Sequence, residues 1–129
     1  MVKRISSNKA PNRSRIAAEK RGRRAEFWAA MMLRLKGYRI IKMRYRTKQG
    51  EIDVIARKGD LVAMIEVKAR KSISEALNSV THTAQRRIIN AGDTWLAQQN
   101  DYAKLSIRYD IIAVVPRKWP HHAKGAWEA

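Results

Sequence analysis

Hydrophobic and polar positions along the chain repeat in two rhythms, and the switches between them predict its elements. From Gly22 to Lys36 there is no proline, and Trp28, Met31, Met32 and Leu35 recur at helical spacing before Gly37. This predicts a core helix buried along those four side chains. Glu26 lies off that stripe, near Ala30 and Leu33 on the helical wheel. Tyr38 to Tyr45 then alternates, with Tyr38, Ile40 and Met43 inward and Arg39, Lys42, Arg44 and Arg46 outward, the pattern of a first or edge strand with a basic outer row. Glu51 to Arg57 and Leu61 to Lys68 are two β-type runs, and Lys58-Gly59-Asp60 between them supplies the turn of a hairpin. Lys71 to Ser74 reads as a loop. A second long helix begins near Ser79 or Val80, buried along Val80, Ala84, Ile88, Ala91 and Trp95, and Asn100-Asp101 breaks it. Ile107 to Val115 is a last strand, and its continuously apolar end places it centrally, buried on both faces, until Pro116 stops it. The order helix, strand, two-stranded hairpin, helix, strand is an α/β fold with an αβββαβ core, a central mixed sheet flanked by helices.

Four of the chain's 11 acids, Glu51, Asp53, Asp60 and Glu66, fall within the hairpin. Asp53 and Glu66 interrupt apolar strands. Side chains alternate along a strand, so Glu66 and Lys68 share a face, as do Glu51 and Asp53. If the strands pair with those faces together, Asp53, Glu66 and Lys68 converge. Two carboxylates about 4 Å apart repel by roughly 4 kcal/mol at an effective dielectric near 20, and a hard divalent cation, Mg²⁺ or Mn²⁺, reverses the sign. Lys68 beside it would hold an attacking water or offset charge on a phosphate oxygen. The bland alternative is a pair of half-exposed strand acids in ion pairs with the abundant Arg and Lys, each worth about 0–1 kcal/mol.

Charge narrows the partner. The 129 residues carry 28 Lys and Arg against 11 acids, a net +17. Sixteen of those cations and only two of the acids lie in residues 1–48, so the basic character is polarised, as a face for a polyanion would be. Residues 1–21 read as a flexible basic arm whose last part, from Ser14, extends the helix; residues 22–120 form the domain and 121–129 a C-terminal tail. No cysteine is present, which excludes disulfides and thiolate zinc sites. The longest aliphatic run is far short of a membrane span and no signal peptide is recognisable, so a cytoplasmic protein without membrane association is expected. Asp110, inside the last strand, needs a cationic partner such as Arg108, with catalytic support the lesser reading. His82 reads as a surface residue, and the adjacent His121 and His122 as incidental.

The spacing of Asp53, twelve residues, then Glu66-Val67-Lys68 resembles the PD-(D/E)xK signature of restriction-endonuclease-like nucleases, with Ile52 in the proline's place. Gly22-Arg23-Arg24-Ala25-Glu26, Gly37-Tyr38, Gly50-Glu51-Ile52-Asp53, Glu66-Val67-Lys68-Ala69-Arg70 and Arg108-Tyr109-Asp110, in that order, are similar to the YraN-like family of bacterial proteins. That family is related in fold to Holliday junction resolvases. The resemblance covers roughly residues 22–120 and implies a restriction-endonuclease-like fold and a metal-dependent nuclease acting on DNA, including branched or structured DNA. Asp53, Glu66 and Glu26 would then hold Mg²⁺ or Mn²⁺, Lys68 would position the water, and Gln85 would assist. The backbone carbonyls of Ile65 and Val67 would complete the metal shell. Glu26 keeps a second reading as an ordinary helix-start acid. In the family a lysine precedes that glutamine; here Ala84 stands in its place, which weakens a basic auxiliary on this helix. Arg23, Arg24, Arg44, Arg46, Lys48, Arg70 and Arg86 are the expected phosphate contacts, DNA is favoured over RNA, and resolvase-like action at a symmetric junction implies a homodimer. The alternatives are a nucleic-acid-binding module that kept the nuclease fold without cutting, and an RNA-binding, ribosome-associated basic protein.

Overall fold

Helix α1 (Arg13–Leu35) opens the computed structural model, which describes residues 13–129. Residues 1–12 of the expected basic arm lie outside the described residues, and its remainder is the first two turns of α1. Strands β1 (Arg39–Arg46), β2 (Glu51–Lys58) and β3 (Leu61–Ala69) follow, then short helix α2 (Ile73–Asn78), helix α3 (His82–Ala97), strand β4 (Ser106–Val114) and strand β5 (His121–Trp127). The sheet order is β1-β2-β3-β4-β5. β3 and β4 pair in parallel and every other neighbour is antiparallel. The αβββαβ core is therefore present, as a mixed sheet between helices, with one strand added at the β4 edge. None of the helices among the described residues is long and apolar enough to cross a membrane.

Two cores sandwich the sheet. On one face Ala25, Ala29, Met32 and Leu33 of α1 pack on Val54, Ala56, Ala63, Ile65, Val67 and Ile112. On the other, Ile88, Ala91 and Trp95 of α3 pack on Ile55, Val62, Met64, Tyr109 and Ile111. The α3 stripe matches its periodicity. The α1 stripe does not: Trp28 and Leu35 are 46% and 70% exposed. Helix α1 has apolar residues on two sides and turns its alanine side inward, because small side chains let a helix backbone approach the sheet closely. Glu26, near Ala30 and Leu33, is thereby carried toward the sheet.

The stretch from 121 to 129 is not a tail. β5 pairs with β4, and Trp127 stacks on Tyr109 with ring centroids 5.7 Å apart. His122 is not incidental either. Its Nε2 lies 2.8 Å from Oδ2 of the fully buried Asp110, which also accepts from the Arg108 guanidinium and the Gly125 amide. Burial alone would raise the Asp110 pKa, but His122, Arg108 and the Gly125 N–H overcome it and hold the group at about 2. The Lys36 ammonium donates to Nδ1 of His122 at 2.7 Å, so Nε2 is the nitrogen that carries a proton toward Asp110. This network ties the end of α1 to β4 and β5. The expected loop at Lys71–Ser74 gives way at Ile73 to α2, capped by the Ser72 hydroxyl, which accepts from the Glu75 amide.

Two glycines set the hairpins. Gly59 takes φ +63° in the β2–β3 turn, a conformation open to glycine at no steric cost. Gly50 sits where a Cβ would lie 2.1 Å from the Arg87 carbonyl oxygen, so only a glycine lets the β1–β2 turn rest against α3.

Candidate active site

β3 keeps an unbroken register with β4 from Leu61 opposite Ser106 to Ala69 opposite Val114. Alternation therefore puts Glu66 and Lys68 on the Met64 side, facing α3, while Ile65 and Val67 enter the α1 core. The β2–β3 register runs from Lys58 opposite Leu61 only as far as Val54 opposite Ile65. One step further, Asp53 would oppose Glu66 as a backbone pair. Instead Oδ2 of Asp53 accepts from the Val67 amide at 2.9 Å, so a side chain takes the place of a ladder carbonyl where the two strands part.

The irregularity is shared by the neighbouring strand. Val54 belongs to the α1 core but Ile52 to the α3 core, so the strict alternation of β2 breaks at Asp53. Met43 opposes Val54 and Tyr45 opposes Ile52, and Arg44 between them takes φ +54°, a left-handed conformation uncommon for a residue with a Cβ. That turn directs Arg44 inward to Glu26, with Nε to Oε1 at 2.8 Å.

Electrostatics groups the same acids. Burial, then the charge of Glu66, pushes the Asp53 carboxyl up to about 7, against the Val67 amide that stabilises its anion. Lys68 Nζ lies 3.2 Å from Glu66 Oε2. Burial also raises Glu26; Arg44 opposes the shift and Asp53 reinforces it. Among the described residues no three His, Asp or Glu side chains form a ready ligand trio. Asp53 and Glu66 make a pair, and Glu26 stands beside it in the grip of Arg44. The donor set fits a hard cation nonetheless. Mg²⁺ is commonly held by one or two carboxylates with waters and substrate oxygens completing its shell, and a cation would offset both the burial and the Glu66 repulsion that raise the Asp53 pKa.

The other expected residues are more dispersed. Gln85, in the first turn of α3, donates its amide to the Val80 carbonyl at 3.3 Å. Arg46 is paired with Glu51, and Arg44, expected in the outer row, is engaged by Glu26. Arg70 donates to the Ala69 carbonyl. Arg23, Arg24, Lys48 and Arg86 are exposed. The anchoring of Glu26 by Arg44 was not legible in the sequence, because eighteen residues separate them and alternation pointed Arg44 outward.

A mixed five-stranded sheet with an acid pair and a lysine where two strands part defines a small α/β protein built around one end of its sheet. The chain belongs to a protein family described as "Uncharacterised protein family UPF0102", which matches residues 25–114. It is 57% identical over 117 residues to the "UPF0102 protein R00337" of Rhizobium meliloti (strain 1021), covering 91% of this chain and 96% of that one. It is 56% identical over 116 residues to a UPF0102 protein of Chelativorans sp. (strain BNC1), covering 90% and 94%. A third relative, from Bartonella bacilliformis, is 51% identical over 109 residues, with 84% and 89% covered. The family expected from the sequence motifs is the one found.

Proposed function

We propose that the protein is a metal-dependent nuclease that hydrolyses DNA phosphodiester bonds. The observation that carries this reading is the placement of Asp53, wedged between β2 and β3 on the Val67 amide and crowded by Glu66, with Lys68 at 3.2 Å from Glu66. Asp53 and Glu66 would hold Mg²⁺ or Mn²⁺, which when bound supplies a Lewis acid for a phosphate oxygen. The chain's own groups do the rest. The Val67 amide fixes the Asp53 carboxylate in one orientation. Lys68 brings a positive charge to the mouth of the acid pair, where it can orient a water and offset charge developing on the phosphate. Arg44 holds Glu26 in place beside the pair through their ion pair and opposes the upward push of burial on its pKa. The basic surface, most of its charge in the first third of the chain, attracts the DNA backbone.

The test is cleavage of labelled linear, single-stranded, flap and four-way-junction DNA with Mg²⁺ or Mn²⁺, comparing wild type with Glu66→Ala and Lys68→Ala at matched salt. Metal-dependent cutting that drops by about 100-fold or more in both variants is expected. Salt-sensitive binding with no cutting of any substrate would make the protein a nucleic-acid-binding module with a nuclease-like fold.

A further inference from the structure

Trp28 and Trp119 are 46% and 55% exposed, and each lines a depression in the surface. The larger, about 640 Å³, has Trp28 and Val115 within it and Arg24, Arg70 and Lys71 around it. The second, about 390 Å³, shares Trp28 and Val115 and adds Arg117 and Trp119. The shared residues make one groove. Ala69 and Arg70 in it directly follow Lys68, and Ala69 pairs with Val114. The groove therefore opens at the carboxyl ends of the two parallel strands, at the same end of the sheet as Asp53 and Glu66, where α/β sheets characteristically take their ligands.

An aromatic and apolar floor within a basic rim has the chemistry of an unpaired nucleotide strand. Bases stack on indole faces, and phosphates meet guanidinium and ammonium groups. A duplex keeps its base faces in its own stack and would leave both indoles without a partner. An apolar peptide would leave the cations unmatched; among the described residues lining the groove, Glu75 is the sole acid. The turn between β4 and β5 points the same way. Arg117 takes φ +64° there, where glycine would sit without strain, and strained residues of this kind cluster at binding sites.

We propose that this groove holds a single-stranded DNA segment, with Trp28 and Trp119 stacked on its bases. The groove lies on the α1 face of the sheet, with Ala69 and Val114 of the α1 core in its lining, whereas Glu66 and Lys68 point to the α3 face. That the bound strand leads round the sheet's end to the acid pair rests on the nuclease reading; that the groove binds unpaired DNA does not.

The experiment measures binding of the full chain, in EDTA so that no cutting intervenes, to a labelled oligo-dT of roughly 16 nucleotides. A duplex of the same length, oligo-rU and phosphatidylserine vesicles are measured beside it. Replacing both residues, Trp28→Ala with Trp119→Ala, should weaken oligo-dT binding about tenfold or more and duplex binding by less than about twofold, because phosphate contacts dominate the latter. Trp28→Phe with Trp119→Phe keeps an aromatic face at each position and should regain most of the affinity. Unchanged oligo-dT affinity in the alanine pair would overturn the proposal. So would an equal loss on duplex, a phenylalanine pair as weak as the alanine pair, a marked preference for oligo-rU, or tryptophan-dependent binding to vesicles in place of DNA. Cutting with Mg²⁺ is scored separately: tryptophan-dependent oligo-dT binding without any cutting keeps the groove and discards the nuclease.

Discussion

A carboxyl group lodged between two strands feels burial, a neighbouring acid and a backbone amide at once, and at Asp53 the first two outweigh the third, bringing it to about 7. Two outcomes follow. Metal ligands must be deprotonated, so Mn²⁺ affinity measured by calorimetry should weaken as pH falls below 7, by up to about tenfold per unit; affinity flat from pH 5.5 to 7.5 would remove Asp53 from the site. Without metal, the raised pKa favours the protonated folded form. Its contribution to stability is present below the ordinary carboxylate range and is lost as pH rises through about 7. Melting in EDTA should therefore fall from pH 5 to pH 8, and Asp53→Asn should flatten that slope. At this scale Asp53, Glu66 and Lys68 were legible in the sequence, because alternation along two strands joined by a tight turn is a local rule. The parting of the strands at Asp53 was not, since it shows only in the register of β2 with β3 and is accompanied by the left-handed Arg44 of a third strand.

The elements follow from periodicity, but which side each one buries depends on its neighbours. Helix α1 offered an aromatic and methionine stripe and an alanine face, and the sheet accepted the alanine face, leaving Trp28 in solvent. Strand β5 is not legible in the sequence, because His121 to Trp127 lacks β-branched residues and is half exposed at an edge, so no period-two pattern marks it. Gly50 is the sharpest contact between elements. Gly50→Ala should cost about 1–3 kcal/mol in urea denaturation, because the new methyl meets a backbone carbonyl that moves only with α3. Gly22, within α1, has nothing within 4 Å of its would-be Cβ. Gly22→Ala should instead be neutral or stabilising by up to about 1 kcal/mol through helix propensity. Equal effects at the two glycines would contradict the packing of the turn on α3.

Across the whole molecule, two acidic centres on neighbouring strands are built for different work. One is the pair of Asp53 and Glu66. The other is Asp110, opposite Ile65 in the middle of β4, which is clamped by Arg108, His122 and the Gly125 amide, with Lys36 and Tyr38 behind them. Removing one partner of a buried pair leaves a charge uncompensated, so Asp110→Ala should lose about 3 kcal/mol by chemical denaturation. Because the Asp110 pKa is depressed to about 2, this contribution is present above the ordinary carboxylate range and lost as pH falls through it toward 2. The two acids therefore respond to pH in opposite senses, and single variants separate them.

The sequence by itself determined the αβββαβ order, the hairpin with its acid pair and lysine, the α3 stripe, the polarised charge and the family, since each rests on spacing between near neighbours in the chain. Tertiary structure decided which face of α1 is buried, that Asp53 holds an amide of β3, that Arg44 turns in to Glu26, that His122 completes the Asp110 clamp, and that two tryptophans far apart in sequence share one basic groove. Those are contacts between segments whose separation along the chain carries no period, and only the packing of helices on the sheet brings them together.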